Sequence, residues 1–170
     1  YDNDNLRQAR PLVLARVTLL QSDLALGTTF SDLDGHYLFE EVTLQPQVVN
    51  TLQLSIEMEN NILVITNPQR EVYTFKSDLI RNVAAGHIQQ DLLLDAGNAN
   101  RGVGHIFETI QKAHDFLLEQ VDARRIQPIS VIWPESIDGS YYRTTQFFGR
   151  INGESIHIAA GADQWRKNVM

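Results

Sequence analysis

The spacing of apolar residues changes once along this chain, and that change constrains the fold more than any other feature. In Thr51–Glu59 the apolar side chains occupy alternate positions, which is typical of a β-strand with one buried face. From Gly104 onward the apolar residues recur every three or four positions, as they do on an amphipathic helix. The small polar segment Asp95–Gly102 separates the two patterns and is typical of a linker. The sequence therefore predicts two domains, at 1–97 and 98–170.

The charge divides at the same position. The 170 residues carry a formal net charge of −7, and all of that excess lies in residues 1–97. An acidic chain lacks the basic face that nucleic-acid binding requires, so we predict no nucleic-acid partner. No apolar run approaches the ~18 residues of a membrane span. The absence of cysteine excludes disulfides and thiolate metal sites.

Short β-rich runs separated by turn residues fill the first domain. About seven such runs in succession predict a β-sandwich. The predicted strands are Leu12–Leu20, Thr28–Ser31, His36–Val42, Thr51–Glu59, Ile62–Thr66, Glu71–Lys76 and His87–Leu94.

One stretch of this domain resembles the transthyretin-like sandwich known as the carboxypeptidase regulatory-like domain. That family has a "D-G-x-Y-x-F" core, which stands here as Asp34, Gly35, Tyr37 and Phe39. The resemblance implies a seven-stranded transthyretin-like β-sandwich that serves as an accessory or interaction domain.

The second domain has a different order of elements. The sequence predicts a helix over Val103–Ala123, strands over Ile129–Trp133, Tyr141–Phe148 and Ser155–Ala159, and the start of a helix at Asp163. A helix followed by a strand and a hairpin is an α+β order. The expected fold class is therefore mainly β with an α+β second part, a small helix-and-mixed-sheet segment.

This order resembles the upstream part of the catalytic domain in gluzincin or thermolysin-like zinc metallopeptidases. The matching residues include Val131–Pro134, Ile156–Ile158 and the final segment Asp163–Met170. The resemblance implies a parent protein that hydrolyses peptide or protein substrates with a zinc-activated water. In that family the substrate lies along an edge strand, so Ile156, His157 and Ile158 are the candidate substrate-edge strand.

The zinc-binding motif of that family, H-E-x-x-H, is absent from all 170 residues. We therefore expect no catalytic residue, no metal ligand and no cofactor in this chain, with zinc only in the full-length parent. The chain starts at Tyr1 and stops at Met170 inside a predicted helix, so we expect a fragment, and one that is inactive without the motif. The resemblance and the sandwich imply an extracellular location. Apolar surface left uncovered in its second half would favour self-association.

Other chemistries find weaker support. His105 and His114 are nine positions apart and fall on opposite sides of one helix, so they cannot chelate a metal together. Asp32 and Asp34 fit an EF-hand loop only if Phe30 supplies the first ligand, which it cannot do, and a strand turn explains them. Glu135 and Asp138 are best explained as the solvated rim of a turn. A non-catalytic extracellular binding or adhesion module, recognising a glycan or a partner protein, remains the alternative function.

Overall fold

The computed structural model describes residues 10–46, 48–83, 86–93, 101–121, 128–136, 138–147 and 150–160. These residues form a mainly β protein with two sheets and one helix. The elements in chain order are β1 (Arg16–Gln21), β2 (Leu24–Phe30), β3 (Thr51–Glu57), β4 (Leu63–Thr66), β5 (Thr74–Lys76), β6 (Ile80–Arg81), α1 (Arg101–Val121), β7 (Ile129–Glu135), β8 (Tyr141–Phe147) and β9 (Arg150–Ala159).

The contacts divide the chain into two compact units that do not follow the order of the sequence. The first unit runs up to Glu57 and resumes from Thr74 to Gly97, whereas Met58–Tyr73 joins the chain from Asn98 onward in the second unit. The predicted strand at 62–66 therefore belongs to the second sheet, as β4, and not to a sandwich in the first domain.

The first unit is built on one five-stranded sheet in the order β2-β1-β3-β5, with β6 also paired to β3. The alternation seen in the sequence buries Leu52, Leu54 and Ile56 of β3. The described residues show five strands here and not the expected seven. Residues 36–42 and 87–93 form no strand, and β6 was not predicted.

A buried glutamine holds one loop of this unit against the sheet. Gln21 at the end of β1 is almost fully buried, and its Oε1 accepts a hydrogen bond from the backbone N–H of Gln45 at 2.7 Å. Its Nε2 donates to the carbonyl oxygen of Gln45 at 3.2 Å. Because the amide satisfies both backbone groups of that residue, the side chain replaces a sheet partner for the loop.

The second unit contains a four-stranded mixed sheet in the order β4-β7-β9-β8. Strand β7 is parallel to both of its neighbours, β4 and β9, and β8 is antiparallel to β9. The helix α1 contacts β4 and buries Val103, Ile106 and Phe107. Its second half exposes Phe116, Leu117 and Leu118, so the predicted apolar stripe is covered only along its first turns.

The side chain of Asn60 accepts hydrogen bonds from the backbone N–H groups of Ile62 and Leu63, which closes the turn before β4. The last strand begins at Arg150 and not at the predicted Ser155, because residues before Ser155 also pair with β8. The predicted helix start at 163–170 lies outside the described residues.

Candidate functional site

The candidate substrate-edge residues Ile156, His157 and Ile158 lie in β9. This strand is an interior strand, since its residues pair with β7 on one side and with β8 on the other. The sequence led us to expect these residues at a sheet edge. In the structure, the main chain of Ile156 and His157 pairs with strands on both sides. The edges of this sheet are β4 and β8.

Side chains on one face of this sheet form two rows across the four strands. The register places Thr66, Ile132, His157 and Tyr141 in one row. The next row on the same face contains Val64, Ser130, Ser155 and Arg143. Since residues two apart on a strand share a face, Ser155 and His157 project to the same side.

A bulge brings a carboxylate to the same face. Between two register pairs, Ile132 with His157 and Glu135 with Ala159, β7 advances by three residues and β9 by two. One extra residue in a strand reverses which side chains face each side of the sheet beyond it. Glu135 consequently lies on the face of His157, although regular alternation would have placed it on the opposite face.

Three side chains at this position form a hydrogen-bonded chain, which we call the polar triad: Ser155, His157 and Glu135. Nδ1 of His157 lies 2.8 Å from Oε2 of Glu135, and Nε2 lies 3.0 Å from Oγ of Ser155. The imidazole is only 3% exposed and the carboxylate side chain 19%. The Tyr141 ring covers the imidazole in a stack with centroids 4.4 Å apart and planes 7° apart.

The chemistry of the partners assigns their roles. An ionised carboxylate can only accept hydrogen bonds, so the proton of His157 is on Nδ1, and this N–H donates a hydrogen bond to Glu135. In the neutral ring Nε2 is then an acceptor, and the hydroxyl of Ser155 donates to it. A serine, a histidine and a carboxylate connected in this order have the connectivity of a serine hydrolase triad.

The sequence alone did not indicate this triad. His157 was expected on the candidate edge strand, and Glu135 was expected with Asp138 at the rim of a turn. The only local signal is a serine two residues before a histidine in a strand, which is enough to predict that they share a face. The contribution of Glu135 depends on the bulge, which no local pattern indicated.

Two of the other histidines lie near a carboxylate that is close in sequence. His36 is exposed near Asp32, with 3.8 Å between Nδ1 and Oδ2. His114 lies 3.4 Å from the neighbouring Asp115 carboxylate. His87 is exposed, and His105 is half-buried in α1. Within the described residues, neither His36 nor His114 has a partner at each ring nitrogen, as His157 does.

One exposed group in the first unit has ligand atoms within 4.8 Å of one another: Asp32, Asp34 and His36. Oδ1 of Asp32 accepts hydrogen bonds from the backbone N–H groups of His36 at 2.8 Å and Asp34 at 2.9 Å. These donors, led by His36, hold the pKa of the Asp32 carboxyl below its usual value. The carboxylate therefore caps a turn, as a strand turn would require.

A groove of about 680 Å³ lies in the first unit between β2 and the segment at residues 38–45. It is lined by residues 25–29 and 38–43 together with Gln45. The Phe39 ring approaches Gly27 so closely that a Cβ there would lie 3.5 Å from the ring.

The described residues thus define a mainly β protein whose second sheet carries a partly buried Ser-His-Glu arrangement. Comparisons with protein-family models, with curated proteins and with solved structures found no match. Within the described part of the chain, no helix combines the length and the apolar character that crossing a membrane requires.

Proposed function

We propose that this chain is part of a secreted zinc peptidase, in which the sheet of the second unit binds extended peptides and the first unit is an accessory interaction domain. The sequence resemblance to gluzincin-type enzymes motivates the class. One structural observation supports the peptide-binding role: β8 is an edge strand of seven residues. Peptides commonly bind such an edge by adding a strand.

The surface of β8 suits this role. Tyr141 and Tyr142 point to opposite faces of the sheet and are 45% and 54% exposed. Aromatic side chains on both faces of an edge strand provide contacts for alternate side chains of a bound peptide. The main chain would supply the affinity, and the two tyrosines would supply selectivity.

Zinc is part of this proposal only for the full-length parent. The H-E-x-x-H ligands are absent from the 170 residues. The Asp32, Asp34 and His36 group lies in the first unit and not on the proposed peptide-binding sheet. The residues present therefore do not fit a catalytic zinc site, and this chain by itself is proposed to bind peptides without cleaving them.

Peptide N-methylation tests strand addition directly. A library of end-capped hexapeptides is screened against the 170-residue chain, and the tightest binder is methylated at alternate backbone nitrogens in its two possible patterns. Only alternate N–H groups of an added strand face the sheet edge. Losing three hydrogen bonds of about 1 kcal/mol each weakens binding about 100-fold, so one pattern should lose this affinity and the other should retain it. Equal effects of the two patterns would refute pairing at an edge.

The second half of α1 supports the proposed self-association. Leu117 and Leu118 belong to the predicted apolar stripe of the helix and are exposed, and exposed apolar surface is typical of association sites. We expect the wild-type chain to form dimers or larger species in sedimentation experiments at micromolar concentrations. Leu117→Glu should shift it to the monomer, whereas a wild-type chain that is monomeric at all concentrations would contradict the proposal.

The groove in the first unit favours a second candidate function, recognition of a glycan. Its lining includes the Phe39 ring and the carboxylates of Glu40 and Glu41, and sugars bind by stacking on rings and by hydrogen bonding to carboxylates. A glycan array probed with the chain, with Phe39→Ala as the comparison, tests this candidate. Binding that is unaffected by the substitution would exclude the groove.

A further inference from the structure

We propose that Ser155 is a nucleophilic serine, activated by His157 and positioned by Glu135, which accepts acyl groups from small activated carboxylic esters. This inference goes beyond the proposed peptide-binding function, since it concerns a covalent reaction that requires no metal. It rests on the polar triad and on the sheet register around it.

The arrangement has the features that a nucleophile and its base need. Ser155 is half-buried and so keeps some contact with solvent, while His157 is 97% shielded and stacks on the Tyr141 ring. A shielded imidazole keeps its hydrogen bond to Ser155 free of competition from water. The Glu135 carboxylate fixes the tautomer in which Nε2 faces the serine, which is the role of the third member in such triads.

The register also provides a cation beside the nucleophile. Arg143 of β8 is directly opposite Ser155, on the same face, and it is exposed. Cβ atoms of opposite residues in an antiparallel pair are about 5 Å apart. A guanidinium at that position is within reach of an oxyanion formed on a substrate bonded to Ser155.

The reaction is balanced without an additional reagent. Oγ of Ser155 bonds to the ester carbonyl carbon, and its proton moves to Nε2 of His157. The tetrahedral intermediate collapses, the bond to the alcohol oxygen breaks, and the leaving alcohol takes the proton from Nε2. Water then attacks the acyl-serine by the same proton route, so an ester and water yield a carboxylic acid and an alcohol, with free Ser155 restored.

The chain provides a matched control for this proposal. Ser130 of β7 is the register partner of Ser155, lies on the same face and is also half-buried. The hydrogen bond to Nε2 of His157 comes from Ser155. Exposure and sheet position are therefore similar for the two serines, and the contact with the base distinguishes them.

The experiment treats the 170-residue chain with p-nitrophenyl acetate and with a fluorophosphonate probe, and locates any adduct by peptide mass mapping. We expect an adduct on Ser155, none after Ser155→Ala, and wild-type labelling after Ser130→Ala. Glu135→Gln should slow labelling roughly 10²–10⁴-fold, as expected for loss of base orientation, while circular dichroism confirms that it folds.

The proposal is overturned if Ser155 is not labelled faster than N-acetylserinamide in the same solution, or if Ser155→Ala leaves the labelling unchanged. If Glu135→Gln is labelled as fast as the wild type, Glu135 does not position His157. The assay contains no peptide and includes a chelator, so its failure leaves the peptide-binding proposal intact and failure of peptide binding leaves this one intact.

Discussion

Replacing Glu135 by alanine should destabilise the second unit substantially, and the structure gives the magnitude. The substitution removes the acceptor that lies 2.8 Å from Nδ1 of His157. A hydrogen bond to a charged group contributes about 1.5–3 kcal/mol, and a buried donor left without a partner costs about 1–3 kcal/mol. His157 is 3% exposed and cannot recover that bond from water, whereas the Glu135 side chain is 19% exposed and its own loss costs less. These contributions overlap, so we expect a loss of about 3 kcal/mol.

Urea denaturation followed by tryptophan fluorescence measures this loss. Trp133 lies in β7 of the second unit and is 8% exposed, so its fluorescence reports the unfolding of that unit. With a slope of roughly 2 kcal/mol per molar urea, the midpoint should fall by about 1.5 M. Ser130→Ala on the same sheet face serves as the control and should stay within about 0.5 kcal/mol of wild type.

A loss below about 1 kcal/mol for Glu135→Ala would refute the reasoning, because it would mean that water already solvates the imidazole. A fall in the slope without a fall in the midpoint would also count against it, since that result indicates a change in the denatured state.

Three further predictions concern the fold. Gln21→Ala should lower the free energy of unfolding by about 1–3 kcal/mol, measured by urea denaturation, because two hydrogen bonds to the backbone of Gln45, of about 0.5–1.5 kcal/mol each, are lost. Gly35→Ala should cost about 1–3 kcal/mol in the same assay, because the residue has a φ of +79° and a Cβ would lie 2.8 Å from Cβ of Pro11. Burial raises the pKa of Tyr73, whose hydroxyl donates to a backbone carbonyl oxygen, so its contribution is complete below the unfolded pKa of about 10 and is lost as pH rises through the folded pKa. Tyr73→Phe should therefore flatten the decline in stability above pH ~10, and an unchanged slope in alkaline denaturation would contradict this assignment.

Local patterns were sufficient to predict the elements whose boundaries depend on nearby residues. The alternation in Thr51–Glu59 predicted β3, and the helical spacing predicted α1 to within two residues at its start. Asn60 and Asp32 close their turns with their own side chains. In each case the interaction that fixes the element lies within a few positions of the signal.

Strand pairing could not be predicted in the same way, because it depends on residues far apart in the sequence. Nothing in Ile62–Thr66 indicates that it pairs in parallel with β7, more than sixty positions later. The bulge in β7 is a further example, since local alternation places Glu135 on the face opposite to Ile132. The sequence therefore identified the strand that carries His157 but not its position in the sheet or its partner.

The second unit contains segments from both halves of the sequence, so a cut at the predicted linker would remove part of it. Its edge strand β4 comes from Met58–Tyr73, and the hydroxyl of Tyr73 donates to the carbonyl oxygen of Trp133 at 2.7 Å. A cut at the predicted linker near residue 97 would remove that strand and expose one side of β7, where Ser130, Val131 and Ile132 pair with it. The polar triad lies on β7, which would border that gap, and on β9, the next strand of the sheet. The residues that specify the site are therefore distributed over both sequence halves, although its three polar side chains all come from the second.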